Sequence, residues 1–158
     1  MNTTPVVPAD EAVIVMTRIY EAPRDLVWEA ITEPRHVAQW WGGPGFSNPV
    51  CEMDVRPGGS WRHVMRSPDG HELNINFVFV EVDPPRRLAW RDVGPAQRKG
   101  GPPSCLITVS LEELGERTRW KMVARFDSIS ERDAALAMGF IGPIEASNDR
   151  LVDYLRSL

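Results

Sequence analysis

The stretch SCLITVSLEELGERTRWKMVARF, residues 104–126, and the later PIEASNDRLVDYLRSL, residues 143–158, decide the fold. In the first, Cys105, Ile107, Val109 and Leu111 alternate with polar residues, as do Trp120, Met122, Ala124 and Phe126, across a loop near Leu114-Gly115. Alternation of period two on both sides of a loop predicts an antiparallel hairpin with one apolar face. In the second stretch, Ile144, Asn148, Leu151, Leu155 and Leu158 fall on one face of a helix beginning at about Pro143. A sheet with one apolar face must bury that face against something. The C-terminal helix is the one expected element long enough to do so. A curved sheet closed over a single helix encloses a cavity, and function is to be sought there.

The rest of the chain supplies the other strands. The run VIVMTRIY ending at Tyr20 is β-branched and apolar and reads as a strand. Ala22-Pro23 ends it and starts a helix whose Leu26, Val27, Ala30 and Ile31 form one stripe. Thr32 is placed to cap a second short helix carrying Val37, Trp40 and Trp41, which Gly42-Gly43-Pro44-Gly45 ends. Cys51, Met53 and Val55 face one way on the next strand. Ser67-Pro68-Asp69-Gly70 suits a type I turn with Gly70 left-handed. That turn sets a register pairing Trp61 with Phe77, His63 with Ile75 and Met65 with Leu73, and on the outer face Arg66 with Glu72. Leu88 and Trp90 mark a further strand, and Ser130 with Asp133 resembles the cap of a short helix through Met138. The predicted class is α+β: a seven-stranded antiparallel sheet, two short helices after the first strand, and a long C-terminal helix. Residues 1–11 read as a disordered tail and residues 12–158 as one domain, with residues 93–103 a mobile, Gly- and Pro-rich connection.

Composition narrows the function. A chain of 158 residues suits one domain, and at that size roughly 70% of the unfolded surface is buried. The net charge of −4, with basic residues scattered among acidic ones, argues against a nucleic-acid surface. The N-terminus lacks the basic start and apolar core of a signal peptide, and no apolar run spans a membrane, so the expected location is cytoplasmic. Cys51 and Cys105 read as buried reduced thiols.

The inward wall is aromatic and sulfur-rich. Trp61, Met65, Ile75, Phe77, Phe79, Trp90, Ile107, Trp120 and Met122 face Phe140 and Ile144, with Trp41 and Asn148 beside them. Such a wall suits a small hydrophobic or amphipathic ligand, and equally suits a filled core. His63, pointing inward between Trp61 and Met65, is the candidate for a hydrogen bond to a ligand or for acid–base work. Its bland reading is a core histidine bonded to a neighbour. His36 and His71 are expected to be exposed. The three histidines share no ligand spacing, so neither a metal nor any cofactor is expected. Gly42 to Gly45 lacks a lysine and reads as a chain reversal, not a phosphate loop. No nucleophile motif is visible, and nothing in the residues assigns catalysis.

Several motifs, taken in order, resemble a known family. They are EAPRDLVWEAITEP from Glu21, Trp40-Trp41-Gly42, DVRPGGSW from Asp54 to Trp61, MRSPDG from Met65 to Gly70 and EVDPPRRL from Glu81 to Leu88. Together they resemble the START-related superfamily of ligand-binding domains, in the branch named for the activator of heat-shock protein 90 ATPase. The resemblance runs from Val13 to Leu158 and implies a helix-grip fold, the sheet wrapped around the C-terminal helix. It also implies a range of activities, among them ligand carriage, cyclase or hydratase-type catalysis and co-chaperone contact. The first reading is a binding protein for a small hydrophobic ligand held between sheet and helix. An enzyme using His63 in the same pocket and a chaperone ATPase-regulating module are the alternatives, and an edge strand offers a route to a homodimer.

Overall fold

The computed structural model describes residues 4–93 and 103–158. Its elements run β1 (Val13–Tyr20), α1 (Arg24–Thr32), α2 (Pro34–Trp40), β2 (Ser47–Met53), β3 (Ser60–Arg66), β4 (Glu72–Asp83), β5 (Arg87–Asp92), β6 (Leu106–Leu114), β7 (Arg117–Arg125), α3 (Ile129–Ala137) and α4 (Ile141–Ser157). The seven strands make one antiparallel sheet in the order β1-β7-β6-β5-β4-β3-β2. This is the α+β helix-grip arrangement, with two helices after the first strand and the long α4 across the inner face.

The β3–β4 hairpin adopts the register set by its turn. Trp61 pairs with Phe77, His63 with Ile75 and Met65 with Leu73, and Gly70 stands at φ 90°. A shift of one residue would turn Trp61 and His63 to the solvent, so burial and turn chemistry enforce the same answer. On the outer face Arg66 meets Glu72 at 2.5 Å. In the last hairpin Ile107, Val109 and Leu111 pair with Ala124, Met122 and Trp120.

The helix ends depart from expectation. Thr32 does not cap α2; its hydroxyl donates back to Trp28 O at 2.7 Å, and Glu33 precedes α2 with Pro34 at its first position. Proline there loses nothing, because that N–H has no helical acceptor in any case. The cap of α3 is Ser128, two residues before Ser130, and its Oγ accepts from Glu131 N at 3.1 Å. Helix α4 starts at Ile141, so Pro143 lies inside the first turn, where its missing N–H is tolerated.

The sheet edges are occupied. Val6, within the segment expected to be a disordered tail, exchanges two backbone hydrogen bonds of 2.9 Å with Val15. An edge strand offers unpaired backbone groups for such pairing. Arg132, buried on α3, holds this segment by donating to Pro8 O and, at 2.5 Å, to Glu11 O. At the other edge Asn48 ties β2 to α2, donating to Ala38 O at 2.9 Å and Trp41 O at 3.1 Å. The expectation of a mobile connection falls mostly on residues 94–102, outside the described residues.

Helix α4 is fastened by packing and by charge. Leu151 and Leu155 are buried against the sheet, each contributing about 2 kcal/mol. On one flank Arg18 of β1, itself buried, reaches Asp149 at 2.5 Å. On the other, Arg150 donates to the carbonyls of Gln39 (2.9 Å), Trp41 (3.1 Å) and Gly43 (3.1 Å), with Gly42 O at 3.2 Å.

Candidate functional site

A cavity of about 630 Å³ lies between the inner face of the sheet and α4. A fully packed interior leaves few voids larger than a water molecule. Of the residues expected on the inward wall, Trp41, Trp61, Met65, Ile75, Phe77, Trp90, Ile107, Trp120, Met122, Phe140, Ile144 and Asn148 line it. Tryptophans dominate one end: Trp61 meets Trp41 and Trp90 edge to face at ring-centre distances of 5.1 and 5.3 Å. Neighbouring strands deliver them because antiparallel pairing sets Trp61 opposite Phe77 and Trp90 opposite Phe79 on the inward face.

Two expected wall residues do not line the cavity. Phe79 lies behind Trp61, stacked on it at 5.8 Å with planes 11° apart, and is 1% exposed. His63 is completely buried, and both its ring nitrogens are engaged. Trp61 Nε1 donates to His63 Nδ1 at 3.2 Å, which fixes Nδ1 as the acceptor and Nε2–H as the donor to Asn48 Oδ1 at 2.7 Å. Burial pushes the His63 pKa down to about 4, so the ring is neutral at pH 7. The ring has no nitrogen left to exchange a proton with a ligand. In this arrangement His63 joins β3 to the β2 edge and, through Asn48, to α2.

His36, expected to be exposed, is buried and hydrogen-bonded through Nδ1 to Tyr154 Oη of α4. Helix α2 is too short to show its buried face by periodicity, and α4 arrives from far along the chain. His71 is exposed beside Asp69, 2.9 Å away. Cys51 and Cys105 are both free, with burial raising their thiols to about 11 and about 12. Cys105 lies on the cavity wall as an inert protonated thiol.

The sequence reading missed the loop after α2. Gly42, Gly43 and Phe46 line the cavity, and Gly42 N donates to Ser147 Oγ of α4 at 2.8 Å. A Cβ on Gly42 would come within 3.0 Å of Phe46 and 3.1 Å of Met65, at φ +88°. The glycine run directly after Trp41 was the available signal for such close approach. Asp92 and Ser147 also reach the wall. Among the described residues the polar side chains at the wall are few: Asp92, Ser147 and Asn148. Asn148 is 6% exposed, and its amide has no hydrogen-bond partner among the described residues.

On the opposite face of the sheet, charges pair with one another across strands. Arg62 meets Glu52 at 3.0 Å and Arg87 meets Glu81 at 2.9 Å, while Arg119 pairs with Glu112. Among the described residues no group of three acidic, cysteine or histidine side chains could hold a metal ion. None of the described helices is long and apolar enough to cross a membrane.

Comparison with known proteins places this architecture. The family model described as activator of Hsp90 ATPase homolog 1-like protein matches residues 21–156. A crystal structure of a protein from Mycobacterium smegmatis is similar at a TM-score of 0.85 and 22% identity, covering 99% of each chain. A Nitrosomonas europaea protein gives 0.83 at 24% identity over 96% of this chain and 97% of its own. A solution structure from Arthrobacter aurescens gives 0.85 at 22% identity over 98% of this chain and 92% of its own. At these identities the likeness carries the fold alone. No curated protein matches the chain.

Proposed function

The chain belongs to the activator of Hsp90 ATPase homolog 1-like family, and we propose that it is a binding protein for a small hydrophobic ligand held between the sheet and α4. One observation carries this reading. The interior leaves about 630 Å³ unfilled, within the roughly 300–1,000 Å³ of small-molecule sites. Its wall is aromatic and aliphatic, so affinity would come from apolar burial at roughly 25 cal/mol per Å². Few polar groups break that wall, as expected of a site that orients a ligand without reacting with it. The outer face supports a chaperone-docking role less well, because its charges are already matched to each other.

The test is to purify the protein from cells, release bound molecules by gentle denaturation and identify them by mass spectrometry. A stoichiometric hydrophobic compound is the expected result. A protein that carries nothing, and gains no thermal stability from a broad lipid and polyketide panel, would refute the reading.

A further inference from the structure

At about 100° per residue, α4 divides around its buried stripe of Asn148, Leu151 and Leu155, with Ser147, Arg150 and Tyr154 on one side and Asp149 and Val152 on the other. The two sides are fastened unequally. On the first, Arg150 donates to the carbonyls of Gln39, Trp41, Gly42 and Gly43. Gly42 N donates to Ser147 Oγ, and Tyr154 Oη meets His36 Nδ1. On the second, Arg18 Nη2 reaches Asp149 Oδ1 at 2.5 Å.

Arg18 stands opposite Trp120 in the β1–β7 pairing and is 5% exposed. Its Nε and Nη1 are closed off from water and meet no hydrogen-bond partner among the described residues. Tyr20, two residues on along the same strand face and 1% exposed, has a hydroxyl in the same condition. Burial raises the Tyr20 pKa above its ordinary value, so the phenol stays neutral and gives Arg18 no second counter-charge. A sealed donor forgoes the hydrogen bonds that water would give it, and a guanidinium forgoes more than a neutral group. That loss falls on the state in which α4 lies against β1. When this side of the helix parts from the sheet, water reaches Nε, Nη1 and Tyr20 Oη. Asp149, whose side chain is already 62% exposed, gives up little.

We propose that α4 is a clamp hinged on its Arg150 side and released on its β1 side, and that Arg18 keeps release easy and lowers stability in doing so. An apolar side chain of similar length at that position would hold the clamp shut. The clamp works in the same way whatever occupies the space between sheet and helix.

The test reads the sign of two substitutions in one ion pair. Arg18→Met removes the sealed donors and leaves Asp149 to water, whereas Asp149→Asn leaves the sealed guanidinium without its counter-charge. Leu155→Cys places a thiol on the buried stripe. Its modification by iodoacetamide in dilute urea, resolved by mass spectrometry from native Cys51 and Cys105, reports how often α4 lifts. Modification should be faster than global unfolding allows. Arg18→Met should slow it by roughly tenfold or more, and Asp149→Asn should quicken it by roughly tenfold. Hydrogen exchange at Gly42 to Phe46, on the hinge side, should stay unchanged in Asp149→Asn. In the chain that keeps Leu155, the urea midpoint of Arg18→Met should equal or exceed that of the parent, and that of Asp149→Asn should fall below it. Those midpoints make the sign test if the thiol variant does not fold. Both substitutions quickening modification, or both lowering the midpoint, would show the pair to be a plain fastening and overturn the proposal. So would modification that only keeps pace with global unfolding, or rates that neither substitution moves. Exchange at Gly42 to Phe46 rising in step with modification would mean that the whole helix lifts, and would overturn the hinge.

Discussion

Acidification should destabilise this protein through His63 in a way that can be isolated from every other titrating group. Burial lowers its pKa from 6.5 to about 4, while the unfolded chain returns it to 6.5. Below pH 6.5 the unfolded state therefore binds a proton that the folded state refuses. Stability is fully present above 6.5 and is lost as pH falls toward 4. At ~1.4 kcal/mol per pH unit, the gap between 6.5 and about 4 amounts to about 3 kcal/mol. That is a large share of the roughly 5–15 kcal/mol that holds a typical domain together. Most of it should be gone by pH 4.5. The assay is urea unfolding of the wild type and His63→Gln at pH 7.5, 5.5 and 4.5, followed by far-ultraviolet circular dichroism. Glutamine keeps an amide in the site but cannot titrate, so the carboxylates and the other histidines cancel in the difference. The wild type should lose about 2–3 kcal/mol more than the variant between pH 7.5 and 4.5. Parallel pH profiles would refute the reasoning. So would a His63 imidazole proton resonance that titrates near pH 6.5 while the protein remains folded.

Three further outcomes follow from the geometry. Val109→Phe, growing from β6 into the void, should raise stability by about 0.5–2 kcal/mol in thermal unfolding and abolish ligand capture; destabilisation would mean that the space is already filled. Arg150→Met removes charge-assisted bonds to the carbonyls of Gln39, Trp41 and Gly43, so it should cost about 3 kcal/mol in urea and speed hydrogen exchange at Gly42 to Phe46. Unchanged exchange there would show that Ser147 alone holds the loop. Gly59→Ala would set a Cβ 1.9 Å from Asp54 O, a clash with backbone, and should destabilise by more than ~3 kcal/mol or prevent folding, as measured by urea unfolding.

The sequence by itself determined the strands, their faces and the β3–β4 register, because a two-residue period and a Pro-Asp-Gly turn are local constraints with one common solution. Trp61, Phe77 and Trp90 were placed on one wall by the same alternation. It put His63 inside for the same reason, but its chemistry was not legible. Alternation says which face a side chain takes, not how deep it lies or what it bonds to. Asn48, the partner that leaves His63 no free proton site, sits on β2, 15 residues away. Phe79 was likewise assigned to the right face, yet it lies behind Trp61 and not beside the void. Only the tertiary structure decided that His36 is buried, because Tyr154 reaches it from α4 across 118 residues. The glycine loop against Ser147 and Arg150 is a second such case. Whether an aromatic wall closes on itself or leaves a cavity is settled by how far α4 is held from the sheet. Arg18 and Arg150 fasten α4 through contacts more than a hundred residues apart, which no local pattern encodes.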